Sequence, residues 1–297
     1  MTNAGRDQSS WATHELVTPN GRVLNYCFYG PPDGAPAIFH SGSPGTRWKH
    51  PDLAAAMTRS GLRVLVFDRP GYGGSTRWAG RRVADAAEDA LLLADAQGWS
   101  RFAVFGGSGG GPHALACAAL LAHRVTCCAV VSGISPTDVS DLDRPGLSKG
   151  SRLAALGEAA LRPHIEDVAR GIMDGIDAGG PEFPPDPHAP ASSPRPGPAI
   201  SDPAAMMRLN ATFVESHDGW VDDSVAFVHP WGFDLDAIVC PVGSWHGSRD
   251  TNVPNVHAAW LLTHVPGAED HGYEGGHLPD GATYCDVFSW MHANGRA

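Results

Sequence analysis

Short apolar runs alternate with helical segments along most of this chain, and the alternation restricts the fold more than any other feature. Residues 13–18 and 22–29 read as two strands joined by Pro19-Asn20-Gly21, where Asn and Gly tolerate the positive φ of a hairpin turn. Strands are then expected at 37–40, 64–67, 102–105 and 126–132. Helices are expected at 47–60, 81–97 and 109–122, the first two closed by Gly61 and Gly98. The alternation stops near Ser132 and resumes with a strand at 242–245, a helix at 254–264, a short strand at 268–272 and a helix at 282–293. Apolar strands that follow helices in this way pair side by side in a mainly parallel sheet with helices on both faces, an α/β fold.

The interruption divides the chain into a core, residues 1–135 and 236–297, and an insertion, 136–235. Helical pieces are expected inside it at 152–161, 165–176 and 203–214. Residues 181–203 hold nine prolines, each of which fixes φ and removes a backbone donor, so no regular structure is expected there. Such a stretch is either a surface loop or a flap over a site.

Charge narrows the partners. With 21 Lys and Arg against 32 Asp and Glu the formal net charge is −11, which repels nucleic acid and anionic lipid. The N-terminal residues lack the apolar core of a signal peptide, and the most apolar stretch, 114–131, is interrupted by His123 and Arg124 and is too short to span a bilayer. Six cysteines (27, 117, 127, 128, 240 and 285) form no C-x-x-C pair, and most lie in apolar runs as buried free thiols would. A cytoplasmic protein is the expectation.

The chemistry is concentrated in Phe102-Ala103-Val104-Phe105-Gly106-Gly107-Ser108-Gly109-Gly110-Gly111-Pro112. A strand enters a helix through a tight turn with Ser108 at its apex and Gly at −2 and +2. A Cβ at either flanking position would strike neighbouring backbone, and the turn lifts the hydroxyl clear of the sheet beside a helix N-terminus. A dinucleotide fingerprint beginning at Gly107 puts Pro112 where its third Gly belongs, and no acidic residue ends the following strand. The Gly-Lys-Ser/Thr of a Walker loop is absent. A nucleophilic serine needs a base and a group to orient that base. Asp250 lies in a turn just past the strand at 242–245, and His277 lies in the Gly-rich segment Glu274-Gly275-Gly276-His277-Leu278 before the last helix.

With those segments in view, residues 22–135 and 235–292 resemble the serine-dependent α/β-hydrolase superfamily, in particular its small bacterial esterase- and lactonase-like members. The matching residues are Ser41-Gly42-Ser43-Pro44-Gly45-Thr46-Arg47, Asp68-Arg69-Pro70-Gly71-Tyr72-Gly73-Gly74-Ser75, the turn at 106–110, residues 246–250, and Gly276-His277. The resemblance implies an α/β-hydrolase fold with a helical lid and a triad of Ser108, Asp250 and His277. It implies an oxyanion hole from the backbone N–H groups of Ser43 and Gly109. Ser41 departs from the pattern, since relatives carry His there; the adjacent His40 is the candidate substitute. Asp138 is the alternative acid, and Asp68 belongs to a turn that shapes the pocket.

The reaction so implied is acyl transfer from an ester or lactone, with no cofactor; a small, neutral, fairly apolar molecule suits the acidic surface. The same triad also serves C–C bond hydrolysis and perhydrolysis, and a ligand receptor could keep the pocket without the rate. Ser rather than Asp at the apex excludes the alkyl-ester chemistry of epoxide hydrolases and haloalkane dehalogenases. Met206, Met207, Phe213, Trp220 and Leu278 are candidate substrate contacts, though each suits core packing as well. Trp231 marks the return from the insertion to the core, and His271 the end of a strand. His257 and His264 lie near one face of a helix without a recognisable ligand motif, so no metal is expected. Lids and edge strands in such folds often pair, which makes a homodimer a further expectation.

Overall fold

The structure, a computed structural model, describes residues 12–136, 148–180 and 203–295. Asp138 and residues 181–202 of the proline-rich stretch lie outside the described residues.

Eight strands form one sheet: β1 (His14–Val17), β2 (Val23–Tyr29), β3 (Ala35–His40), β4 (Leu62–Phe67), β5 (Phe102–Gly107), β6 (Val125–Val131), β7 (Val242–Gly247) and β8 (Glu269–Tyr273). Their order is β1-β2-β4-β3-β5-β6-β7-β8. The first pair is the expected hairpin, with Gly21 at φ 83° in its turn. β2 runs antiparallel to β4, and from β4 to β8 every pairing is parallel. The chain steps outward from β3 to β4, then crosses back to place β5 on the other side of β3. Loops leaving β3 and β5 therefore diverge at a topological switch point, where open parallel sheets bind ligands.

Side chains alternate between two cores, as the period of a strand requires. On β3, Ile38 joins one apolar cluster, and Ala37 and Phe39 the other. Helices α2 (Ala86–Ala96), α3 (Gly111–Leu120) and α8 (Val256–His264) cover the first face; α1 (Pro51–Arg59) and α9 (Gly281–Asn294) cover the second. Cys27, Cys117, Cys127 and Cys128 are buried as free thiols, Cys240 is partly buried and Cys285 is exposed. Trp231 packs in the first core, 6% exposed.

Between β6 and β7 lie α4 (Lys149–Ala154), α5 (Glu158–Asp177), α6 (Pro203–Phe213) and α7 (Asp218–Phe227). They bury two small clusters of their own, one around Leu161, Ile165 and Val221 and one around Ala169, Ile176, Leu209 and Phe213. The break between α4 and α5 falls at Gly157, φ 93°. No helix among the described residues is long and apolar enough to cross a membrane.

Two departures from the sequence reading bear on the site. α1 starts at Pro51 rather than 47: Pro at the first position lacks the N–H that would go unpaired, and the His50 ring accepts from the Asp52 amide. Residues 47–50 are thereby left for loop contacts. The second is α7, absent from the expected helices. Its sequence DGWVDDSVAF is poor in strong helix formers, and tertiary contacts hold it instead.

Candidate active site

Ser108 occupies the turn between β5 and α3 at φ 51°, in the left-handed region that non-glycine residues rarely adopt. Its flanking glycines are there for lack of room. A Cβ on Gly106 would lie 2.2 Å from the Gly110 carbonyl oxygen, and one on Gly110 would lie 2.0 Å from the His40 carbonyl oxygen. Ser108–Gly110 form one 3-10 turn that leads directly into α3, which puts the Gly109 amide at a helix start.

The loop after β3 packs against this turn. A Cβ on Gly42 would sit 3.5 Å from Ser108 Cβ, and one on Gly109 would sit 2.7 Å from Ser43 Oγ. Ser43 and Gly109 are thus neighbours beside the serine. His40 is not the support for this loop. It is fully buried below it, with its ring against Cys117 Sγ at 3.4 Å and edge-on to Phe67. Support comes from Lys49, whose Nζ lies 2.5 Å from Ser41 Oγ, and from Arg69, which donates to the carbonyls of Ser41 (2.5 Å) and Gly42 (3.2 Å) and to Ser43 Oγ (2.9 Å). Burial pushes the Lys49 ammonium down to about 7, with Asp68 opposing. Asp68 is buried and paired with the Arg47 guanidinium and amide, so it is committed to the loop's far end.

Asp250 and His277 are brought together. His277 Nδ1 lies 2.8 Å from Asp250 Oδ2, and Asp250 Oδ1 accepts from the amides of Asn252 and Val253 at 2.9 Å each. The carboxylate is inaccessible and the imidazole 17% exposed. The loops carrying them are joined backbone to backbone: the Ser248 amide donates to the Tyr273 carbonyl and that of Arg249 to the Gly275 carbonyl, both at 2.9 Å. A Cβ on Gly247 would meet the Gly276 carbonyl at 2.2 Å, so glycine is needed for this approach. Ser132 Oγ, from the end of β6, donates to the His277 carbonyl at 2.8 Å. The loop of Ser43, Ser108, Asp250 and His277 thus follow the carboxyl ends of the parallel strands β3, β5, β7 and β8.

The proposed substrate contacts are more dispersed. Phe213 is 4% exposed inside the insertion's own cluster, with Met206 and Trp220 packed on it. Burial there spends these side chains on packing. Met207 and Leu278 are exposed. His271 lies in β8, stacked on Trp245 at 4.3 Å. Among the described residues no cluster of three or more His, Cys, Asp or Glu is arranged to hold a metal.

Sequence reasoning missed Asp223. It lies on α7, fully buried, with Arg69 and Arg81 each 2.5 Å from its carboxylate. Burial alone would raise its pKa, but the two guanidiniums hold it well below the ordinary carboxylate range. The sequence signal was an acidic pair, Asp222-Asp223, inside an otherwise apolar segment.

Comparison with known proteins agrees with this architecture. Residues 36–154 match the family model described as alpha/beta hydrolase fold. An uncharacterized hydrolase of Bacillus subtilis, YcgS, is 24% identical over 284 residues, covering 94% of this chain and 91% of its own. A thermophilic esterase from Thermogutta terrifontis superposes with a TM-score of 0.65 at 18% identity, over 96% of this chain and 100% of that one. The enol-lactonase of Burkholderia xenovorans LB400 gives 0.62 at 18% identity, over 94% and 98%. With its sheet order, its strained serine turn and these matches, the chain has the α/β-hydrolase fold.

Proposed function

We propose that this protein is a serine hydrolase that cleaves the carboxylic ester or lactone of a fairly apolar small molecule through an acyl-enzyme. The reading rests chiefly on the 2.8 Å pairing of His277 Nδ1 with a buried Asp250, past the carboxyl ends of parallel strands of the sheet whose β5 leads into Ser108. That pairing fixes the tautomer and leaves Nε2 as the nitrogen for proton transfer. His277 takes the proton of Ser108 as its oxygen attacks the carbonyl carbon. Asp250 stabilises the imidazolium, and the amides of Ser43 and Gly109 receive the charge on the carbonyl oxygen. His277 returns the proton to the departing alkoxide. Water, deprotonated by the same imidazole, then attacks the acyl-enzyme and releases the acid and Ser108. An esterase and an enol-lactonase among the similar folds make ester and lactone bonds the first substrates to try.

The test is a panel of p-nitrophenyl esters of graded chain length and simple lactones, assayed with wild type and Ser108→Ala. We expect turnover of at least one class and a loss of about 10⁴-fold or more in the variant, with the fold retained. Equal rates in the two proteins would refute the role of Ser108.

A further inference from the structure

The residues proposed to hold the oxyanion are both touched by one helix of the insertion. α7 approaches the core until the Gly219 amide donates to the Gly71 carbonyl at 3.1 Å. A Cβ on Gly219 would fall 2.3 Å from the Tyr72 ring, so no larger residue fits this approach. One turn further, Asp223 reaches Ser43: its Oδ2 accepts a short hydrogen bond from Ser43 Oγ and another from the Tyr72 hydroxyl at 2.9 Å. Ser43 Oγ in turn accepts from Arg69 Nη2 at 2.9 Å, so the hydroxyl is held as donor and acceptor at once. Another turn along the same face, Phe227 Cζ lies 3.0 Å from where a Cβ on Gly109 would be.

Buried arginines are costly unless a carboxylate compensates them, and here Asp223 serves two. Arg69 can therefore stay in place and bind the carbonyls of Ser41 and Gly42. The neighbouring His113, pushed down to about 4 by burial and by Arg69, adds no charge at neutral pH. Two guanidiniums against one carboxylate leave the cluster one positive charge in excess, and Arg69 of that cluster touches Ser43 Oγ. A fixed cation in a dry site favours negative charge nearby.

We propose that Asp223 is the positioning residue of the oxyanion site: through Ser43 Oγ and Arg69 it fixes the loop at 41–43, so that seating α7 and assembling the oxyanion site are one event. This rests on the serine-hydrolase reading above.

Asp223→Asn would leave two arginines on an amide and can simply unfold the protein. Ser43→Ala, which keeps the backbone N–H, and Tyr72→Phe, which keeps both arginine pairs, are the working variants. Each is measured for kcat and KM on a p-nitrophenyl ester and for the rate at which a p-nitrophenyl alkylphosphonate modifies Ser108. The phosphonate adduct carries a tetrahedral oxyanion and reports the site independently of turnover. For Ser43→Ala we expect kcat and phosphonylation to fall together by about 10- to 100-fold with KM within about twofold. For Tyr72→Phe we expect about 3- to 10-fold in the same direction. The double variant should lose little more than Ser43→Ala, because both act through one carboxylate. Folded variants with unchanged kcat and phosphonylation, or with a change in KM or stability alone, would overturn the proposal and leave the hydrolase reading intact. A wild-type protein that forms no adduct at Ser108 would overturn the hydrolase reading, and this proposal with it.

Discussion

At the scale of single residues, glycines decide most of the site. Gly110 tests this sharply. Its missing Cβ would lie 2.0 Å from the His40 carbonyl oxygen and 2.7 Å from that of Ser41, and neither backbone atom can move without disturbing the β3–β5 pairing. Gly110→Ala should cost more than about 3 kcal/mol or prevent folding, as measured by urea denaturation. Gly171, in the exposed interior of α5 with nothing within 4 Å of a built Cβ, is the contrasting position. There Ala should stabilise by about 0.5–1 kcal/mol, because the gain is one of helix propensity alone. Gly106, Gly110 and Ser108 were legible in the sequence because steric exclusion at a turn leaves only glycine. The pairing of Asp250 with His277 was legible because each lies in a turn or Gly-rich loop just past a strand, and the structure joins them at 2.8 Å. Asp223 was not, since its meaning lies in a hydrogen bond to Ser43 across 180 residues, a separation that no local pattern encodes. Arg69 and Lys49 were hidden in the same way: the sequence offers His40 as the loop's support, but its ring belongs to the core beneath.

At the scale of elements, the core strands and helices were legible to within a few residues because apolar periodicity there is set by burial on both sheet faces. α1 began late because Pro51 and the His50 cap outweighed the apolar pattern before it. α7 escaped notice for a more instructive reason. Valines, aspartates and a glycine give it little intrinsic helicity. Its place comes from the close contact of Gly219 with Tyr72, the Asp223 cluster, and the pairing of Asp222 with Arg77 at 2.8 Å. The helix least visible in the sequence is thus the one bound most specifically to the site. Sequence-level reasoning tends to fail where local preference has yielded to function.

At the scale of the whole molecule, buried ionisable groups set the dependence of stability on pH. His113 is held at about 4 in the folded protein against an ordinary 6.5, and His40 is lowered too, by burial first. The unfolded chain therefore binds more protons below about 6.5, and stability falls as pH falls. Asp68, pushed up to about 6 by burial, opposes one of the two histidines. Lys49, at about 7 rather than 10.5, keeps its proton only in the unfolded chain above pH 7, so stability rises with pH there. The thiols act in the other direction. Cys27 and Cys127 are pushed up to about 12 and Cys240 to about 11, from an ordinary 9.0, chiefly by burial. Above about pH 9 the unfolded chain sheds thiol protons that the folded protein retains, and stability is lost. The urea midpoint should therefore climb from pH 7 to a maximum between 8 and 9 and then decline, and Lys49→Met should flatten the climb. A midpoint that is level or falling between pH 7 and 8 in the wild type would contradict a buried, depressed Lys49.

If Ser108 is a nucleophile served by His277 and Asp250, it reacts with serine-directed electrophiles. The most direct test is mass spectrometry of the whole protein after treatment with a fluorophosphonate. One adduct is expected, located on the peptide containing Ser108 and absent from Ser108→Ala. No adduct, or an adduct that persists in that variant, would contradict that role of Ser108.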